Sequence, residues 1–158
     1  MPGISPAREP RPLSKEFSFP GDVHSMPAAR EAVMDFLKPC FASELDEIDV
    51  LVALQEALAN AALHGCQNDP SKIIHCAVEI EPSSITITVC DPGPGFDVEA
   101  VTQATECGAN VSEHGRGIAL MRGVMDEVTY HNGGSEVQLR KRLAETTASL
   151  QERSRALS

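Results

Sequence analysis

Glu56-Ala57-Leu58-Ala59-Asn60-Ala61-Ala62-Leu63-His64-Gly65 is the stretch from which the fold of this chain is read. Its alanines and leucines favour a helix. Glu56, Asn60 and His64 recur at i, i+4 and i+8. At about 100° per residue each step drifts by only about 40°, so the three line one stripe. A carboxylate and an amide oxygen one turn apart can serve a hard cation such as Mg²⁺, directly or through water. The same spacing also describes a solvated polar stripe on an amphipathic helix. Ala57, Ala59, Ala61 and Ala62 leave little bulk around the polar residues. Upstream, the helix is predicted to start at Ser43, with Glu44, Asp46 and Glu47 at its positive end. Leu45, Ile48, Leu51, Val52, Leu58, Ala62 and Leu63 are its apolar residues, and Gly65 stops it.

Downstream, 73–80 and 84–90 read as two strands joined by Glu81-Pro82-Ser83, the second alternating Ile85, Ile87 and Val89 with Thr86 and Thr88. Asp91-Pro92-Gly93-Pro94-Gly95-Phe96 follows directly. Two glycines at i, i+2 let backbone approach a ligand or adopt positive φ, and an aspartate at a strand end can accept from an exocyclic amine. An ordinary Pro/Gly turn has the same composition. A helix is predicted near 97–103, a mobile small-residue loop over 104–114, and a further helix from about Gly117 to Asp126. That helix opens on His114-Gly115-Arg116-Gly117-Ile118. Backbone N–H groups at a helix start behind a glycine loop favour phosphate, while Arg116 either adds a cation or faces solvent. Neither a Walker motif nor a Rossmann turn is present. Strands at 127–132 and 135–142 flank Asn132-Gly133-Gly134, a hairpin signal, and Gly134-Ser135-Glu136-Val137 leads into the last strand.

Towards the N-terminus, Lys15–Pro20 reads as an edge strand with Phe17 and Phe19 on one face, and Ser25 as the cap of a helix running to Pro39. The order β-α-α-β-β-α-α-β-β, with short turns between adjacent strands, is not that of a doubly wound parallel sheet. The expected class is an α+β two-layer sandwich: a mixed, mostly antiparallel sheet with helices on one face. Residues 1–14 are expected to be a disordered leader, 15–142 the folded domain, and 143–158 a tail of helical propensity.

The 158 residues suit one domain. The net charge of −10 excludes nucleic acid as the expected partner and favours a basic protein surface. Five cysteines, an odd number without C-x-x-C spacing, give no disulfide framework or zinc signature and suit a reducing cytoplasm. No apolar run spans a membrane and no secretory signal is present.

Taken together and in order, these stretches resemble the GHKL superfamily, the Bergerat-fold ATPases and kinases. Glu56–Gly65 is similar to its N-box, Asp91–Phe96 to its first glycine box, Gly115–Met121 to its second, and Gly134–Val137 to its terminal Gly-Thr element with Ser for Thr. The resemblance covers roughly residues 15–142. The compact size and short lid resemble the RsbW/SpoIIAB-type anti-sigma-factor serine kinases. The resemblance implies ATP and Mg²⁺ as cofactors, the Mg²⁺ held by Asn60. It implies that Asp91 accepts from the adenine amino group with Ser135 nearby, and that Gly93 and Gly95 pass close to the base. Residues 104–114 would form the lid. Gly115, Arg116 and Gly117 would give donors to the phosphates, His64 would belong to the nucleotide site, and Glu56 would be the catalytic base or would orient the acceptor hydroxyl. The implied activity is a protein serine/threonine kinase acting on a STAS-domain anti-sigma-factor antagonist and sequestering a sigma factor; relatives of this type often form homodimers. Two alternatives stand: a non-catalytic ATP-binding switch, and a histidine-kinase-like ATPase domain acting in trans. Only about 40 residues precede the long helix, too few for the two long helices of a histidine-kinase dimerisation domain. A gyrase- or MutL-like ATPase would need a transducer domain.

Overall fold

In the computed structural model, residues 12–108 and 112–143 are described, together with Gly3. The chain runs β1 (Leu13–Pro20), α1 (Met26–Leu37), α2 (Glu44–Asn60), β2 (Ile73–Ile80), β3 (Ser84–Cys90), α3 (Val98–Glu106), α4 (Glu113–Val124), β4 (Glu127–His131) and β5 (Glu136–Arg142). The element order is the expected one. The five strands form one sheet in the order β1-β2-β3-β5-β4. All four pairings are antiparallel, so the expectation of a mixed sheet is corrected: β2–β3 and β4–β5 fold back through short turns, the helical connections return β2 against β1, and β5 enters between β3 and β4, without a parallel crossover.

Alternation sets the two faces of the sheet. Ile74, Cys76, Val78 and Ile80 of β2 are buried, whereas the intervening His75, Ala77 and Glu79 are exposed. Register carries the buried face across the sheet: Val78 is opposite Ile87, which is opposite Leu139, which is opposite Val128. The helices cover this one face. α2 lies over β3 and β5, flanked by α1 on one side and α4 on the other, and α3 packs outside α4. With few aromatics available, Leu37, Leu54, Leu58, Ile85, Ile118 and Met121 fill the layer between sheet and helices.

Several element ends differ from the sequence reading. β1 starts at Leu13, pairing with Ile80, two residues before the expected start. Ser25 precedes α1 without capping it; its hydroxyl instead donates to Asp22 Oδ1 at 2.6 Å. Ser43 does cap α2, accepting from Leu45 N at 3.2 Å. α3 extends to Glu106, its Asp97 cap accepting from Ala100 N at 3.0 Å. α4 begins at Glu113, four residues earlier than expected, because Ser112 accepts from Gly115 N at 3.1 Å. Of the expected 104–114 loop, residues 109–111 lie outside the described residues, as do most of the expected leader and all of the tail beyond Leu143.

The far end of α4 is tied down. Lys141 Nζ donates to Val124 O at 2.8 Å and to Asp49 Oδ2 at 3.1 Å, joining β5, the end of α4 and the first half of α2. Asp126 N donates to Arg140 O at 3.0 Å, and Arg142 N donates to Asp126 Oδ2 at 2.7 Å.

Leu54 has no exposed surface and sits at the centre of α2. Leu54→Ala is expected to lower stability by about 2–5 kcal/mol, read as a shift of the denaturant midpoint with unchanged slope.

Candidate functional site

The α-helical pattern of α2 ends at Asn60 and continues as one wide turn, Ala61–Gly65, in which Cys66 N donates to Ala61 O at 2.8 Å. Such turns carry five residues per hydrogen bond and recur at functional sites. His64 of this turn shares a recess with Glu56 and Asn60, and Gly65 presses on the end of β3. A Cβ on Gly65 would collide with the Asp91 carboxylate, and one on Gly93 would meet Gly65 Cα at 2.7 Å and Asp91 Oδ1 at 2.8 Å. The Asp91 carboxylate accepts from Gly93 N at 2.8 Å, and Asp91 N donates to Ser135 O at 3.0 Å. Gly95 has φ +75°, where its Cβ would strike Gly133 O, and Phe96 N donates to that same carbonyl at 2.9 Å. The segment after β3 is therefore stitched to the β4–β5 hairpin.

Between these parts lies a cavity of about 230 Å³. Val89, Val137, Ala57 and Ala61 give it an apolar lining, and Asp91 and Ser135 line it too. Burial holds the Asp91 carboxyl above its usual range, against the opposing effect of the Gly93 N–H. Apolar walls with one anchored carboxylate suit a heteroaromatic base that offers an amino group. The Ser135 hydroxyl donates to Asn132 O at 3.1 Å, so its contribution beside Asp91 is the backbone carbonyl that holds the aspartate's amide.

Asn60 and His64 also line a second recess, of about 300 Å³, with Glu56, Glu113, Arg116 and Gly117. A Cβ on Gly117 would lie 3.0 Å from Glu56 Oε2 and 3.2 Å from Asn60 Nδ2. Gly117 is thus the small residue that lets α4 pass over both polar side chains. Asn60 Nδ2 is buried with no hydrogen-bond partner among the described residues, and a buried amide left open in this way calls for a ligand group. An amide oxygen beside a carboxylate is a hard donor set that fits Mg²⁺ with part of its water shell retained, and the amide N–H suits a phosphate oxygen. The second glycine stretch sits differently from a loop: Gly115 N donates to Ser112 Oγ, and Arg116 N donates to Ser112 O at 3.0 Å within the helix.

His64 was expected in the nucleotide site, but the rings that accompany it were not singled out from the sequence. The His64 and His114 rings stack at 4.5 Å with 7° between their planes, His114 lies 3.9 Å from Phe96, and Phe96 meets Tyr130 edge-on at 5.3 Å. All four line the 230 Å³ cavity. They come from four separate elements, and only the His-Gly and Gly-Phe neighbours of the glycine stretches hinted at them. Burial, then the adjacent His64, pushes the His114 pKa down to about 4.

The family model of the histidine kinase-like ATPase domain matches residues 19–141, and the chain belongs to that family. It is an ATP-binding domain of the GHKL type. Among its relatives are the anti-sigma F factors. It is 35% identical over 112 residues to that of Anoxybacillus flavithermus, covering 66% of this chain and 74% of the relative. It is 36% identical over 110 residues to that of Geobacillus kaustophilus, with the same coverage. The Clostridium acetobutylicum protein is 34% identical over 116 residues, covering 66% of this chain and 79% of the relative. Among solved structures, the RsbU and RsbW domains of Rv1364c from Mycobacterium tuberculosis match with a TM-score of 0.54 at 14% identity, over 84% of this chain and 32% of that one, a likeness of fold. No described helix is long and apolar enough to cross a membrane.

Gly95→Ala is expected to cost at least about 1–2 kcal/mol from its left-handed backbone and to weaken ATP binding at least tenfold by calorimetric titration. His114 provides a pH signature. Its folded-state pKa lies below the value of 6.5 expected when exposed, so the unfolded chain takes up a proton first as pH falls. The contribution of the neutral ring is complete above about pH 6.5 and is lost towards pH 4. The melting temperature of the wild type is expected to fall more steeply across that window than that of His114→Gln.

Proposed function

We propose that this chain is an ATP-dependent protein serine/threonine kinase and anti-sigma regulator in a partner-switching pathway. It would phosphorylate a STAS-domain antagonist and, as the name of its anti-sigma F relatives suggests, sequester a sigma factor. The observation that carries the reading is the pairing of Glu56 with the open Asn60 amide under Gly117. A carboxylate one turn from a phosphate- and cation-binding amide is placed for an acceptor hydroxyl.

In this reading Asp91, with Gly93 and Gly95 shaping its turn and Ser135 bracing it, receives the adenine. Asn60 holds Mg²⁺, which when bound would neutralise charge on the phosphates. Arg116 supplies the nearest cation of the second recess, and the start of α4 supplies backbone donors; the Gly115 amide becomes one of them when Ser112 releases it. His64, on the wall shared by both recesses, lies between base and phosphates. Glu56 hydrogen-bonds the acceptor serine and takes its proton as the serine oxygen attacks the γ-phosphorus. The bond from phosphorus to the β,γ-bridging oxygen breaks, and ADP leaves with that electron pair. Transfer of this kind needs alignment and charge neutralisation more than covalent catalysis by the protein.

The test is incubation with γ-labelled ATP, Mg²⁺ and each STAS-domain protein of the source organism. Label on one serine of one STAS protein is expected, with Glu56→Gln slowing transfer by at least 100-fold while ATP affinity changes less than about threefold. Tight ATP binding with no STAS protein labelled would leave a non-catalytic nucleotide switch.

A further inference from the structure

The outward side of α2 is unusual for a surface helix. Leu45, Ile48, Val52, Glu56 and Ala59 lie within about 40° of one direction, because steps of three and four residues return to the same face at about 100° per residue, and Leu63 of the wide turn lines the recess of Glu56 and Ala59. The buried face, centred on Leu54, Ala57 and Leu58, points the opposite way. Leu45, Ile48 and Leu63 are 72%, 53% and 44% exposed. The stripe is therefore apolar along its length with one interruption, Glu56. Leu120 of α4, also 44% exposed, adds to it, lining the recess of Glu56 and Leu63. Scattered apolar residues on a surface need no account, but a continuous row around a single carboxylate does.

We propose that this stripe is the docking surface for the acceptor polypeptide: the serine-bearing segment of the partner lies along α2 and puts an apolar side chain between Leu63 and Leu120 as its serine reaches Glu56. The inference rests on the kinase reading of the same site. Continuity supports the choice of occupant. A hydroxyl within hydrogen-bond reach of Glu56, about 2.6–3.2 Å, brings its neighbouring residues onto Ala59, Leu63 and Leu120 whatever the partner's fold. The same recess holds Glu56 beside Leu63 and Leu120, so a side chain seated on the two leucines stands next to the carboxylate. A second copy of this chain would bring another α2 with Glu56 at its centre, setting two carboxylates against each other in an apolar contact, which disfavours self-association there. Leu63 and Leu120 favour an apolar neighbour to the acceptor serine, while Glu113 and Arg116 of the same recess can meet a charged residue next to it.

The probe is the STAS-domain protein that the wild-type chain labels with phosphate from ATP. Leu63→Gln and Leu120→Gln are each expected to raise its KM about tenfold, with kcat, melting temperature and ATP affinity close to wild type; Ile48→Gln, farther along the stripe, raises KM less. A photo-crosslinking residue at position 120 is expected to trap the peptide that contains the labelled serine. Unchanged KM in both glutamine variants, or crosslinks confined to a second copy of this chain, would overturn the docking surface and leave the kinase intact. Absence of any labelled STAS protein would overturn the kinase reading, and the docking surface with it.

Discussion

The contact of Gly65 with the Asp91 carboxylate governs the arrangement of the site. It fixes where the end of α2 meets the end of β3, with no room for one additional carbon. From that point the rest is built outward. Gly93 closes over the same carboxylate and donates to it. The amide of Asp91 is held by Ser135, which brings the β4–β5 hairpin to the cavity wall. The wide turn before Gly65 decides where Asn60 and His64 emerge. A residue that tolerates no side chain at a helix end thus positions a carboxylate, a hairpin and a polar pair together.

Much of this was legible in the residues. Period-2 alternation located β2 and β3, because a sheet covered on one face must repeat every second residue. The long apolar period of α2 and its Ser43 cap were equally plain. The glycine and aspartate stretches pointed to a nucleotide site because their chemistry is local: an aspartate at a strand end and glycines where backbone must come close. The family assignment agrees with that reading.

What escaped was long-range or hidden by composition. The helix was expected to start only at about Gly117, since glycine is a poor helix former, yet Ser112 and Glu113 form a capped first turn that carries Gly115 and Gly117 inside α4. That signal was present and outweighed by the glycines. The wide turn after Asn60 leaves no mark in the sequence, because its residues are ordinary helix formers. The row of rings formed by His64, His114, Phe96 and Tyr130 joins four elements, and no local pattern announces such a meeting. The direction of the sheet pairs was nearly right; the parallel component disappeared because β5 inserts between β3 and β4 through a tight hairpin.

The two ends of α4 are held in unequal ways. At Val124 the helix is fastened by a lysine that also grips α2, and the Asp126 backbone and side chain are bonded to β5. At Glu113 it is started by a single serine hydroxyl on the Gly115 amide, a donor that a phosphate oxygen could use equally well. The helix is in effect a beam pinned by a charged group at its far end and by stacked rings at its first turn, where His114 meets His64 and Phe96. Between the two pins Gly117 passes over Glu56 and Asn60, so a change at either pin would be felt at that crossing.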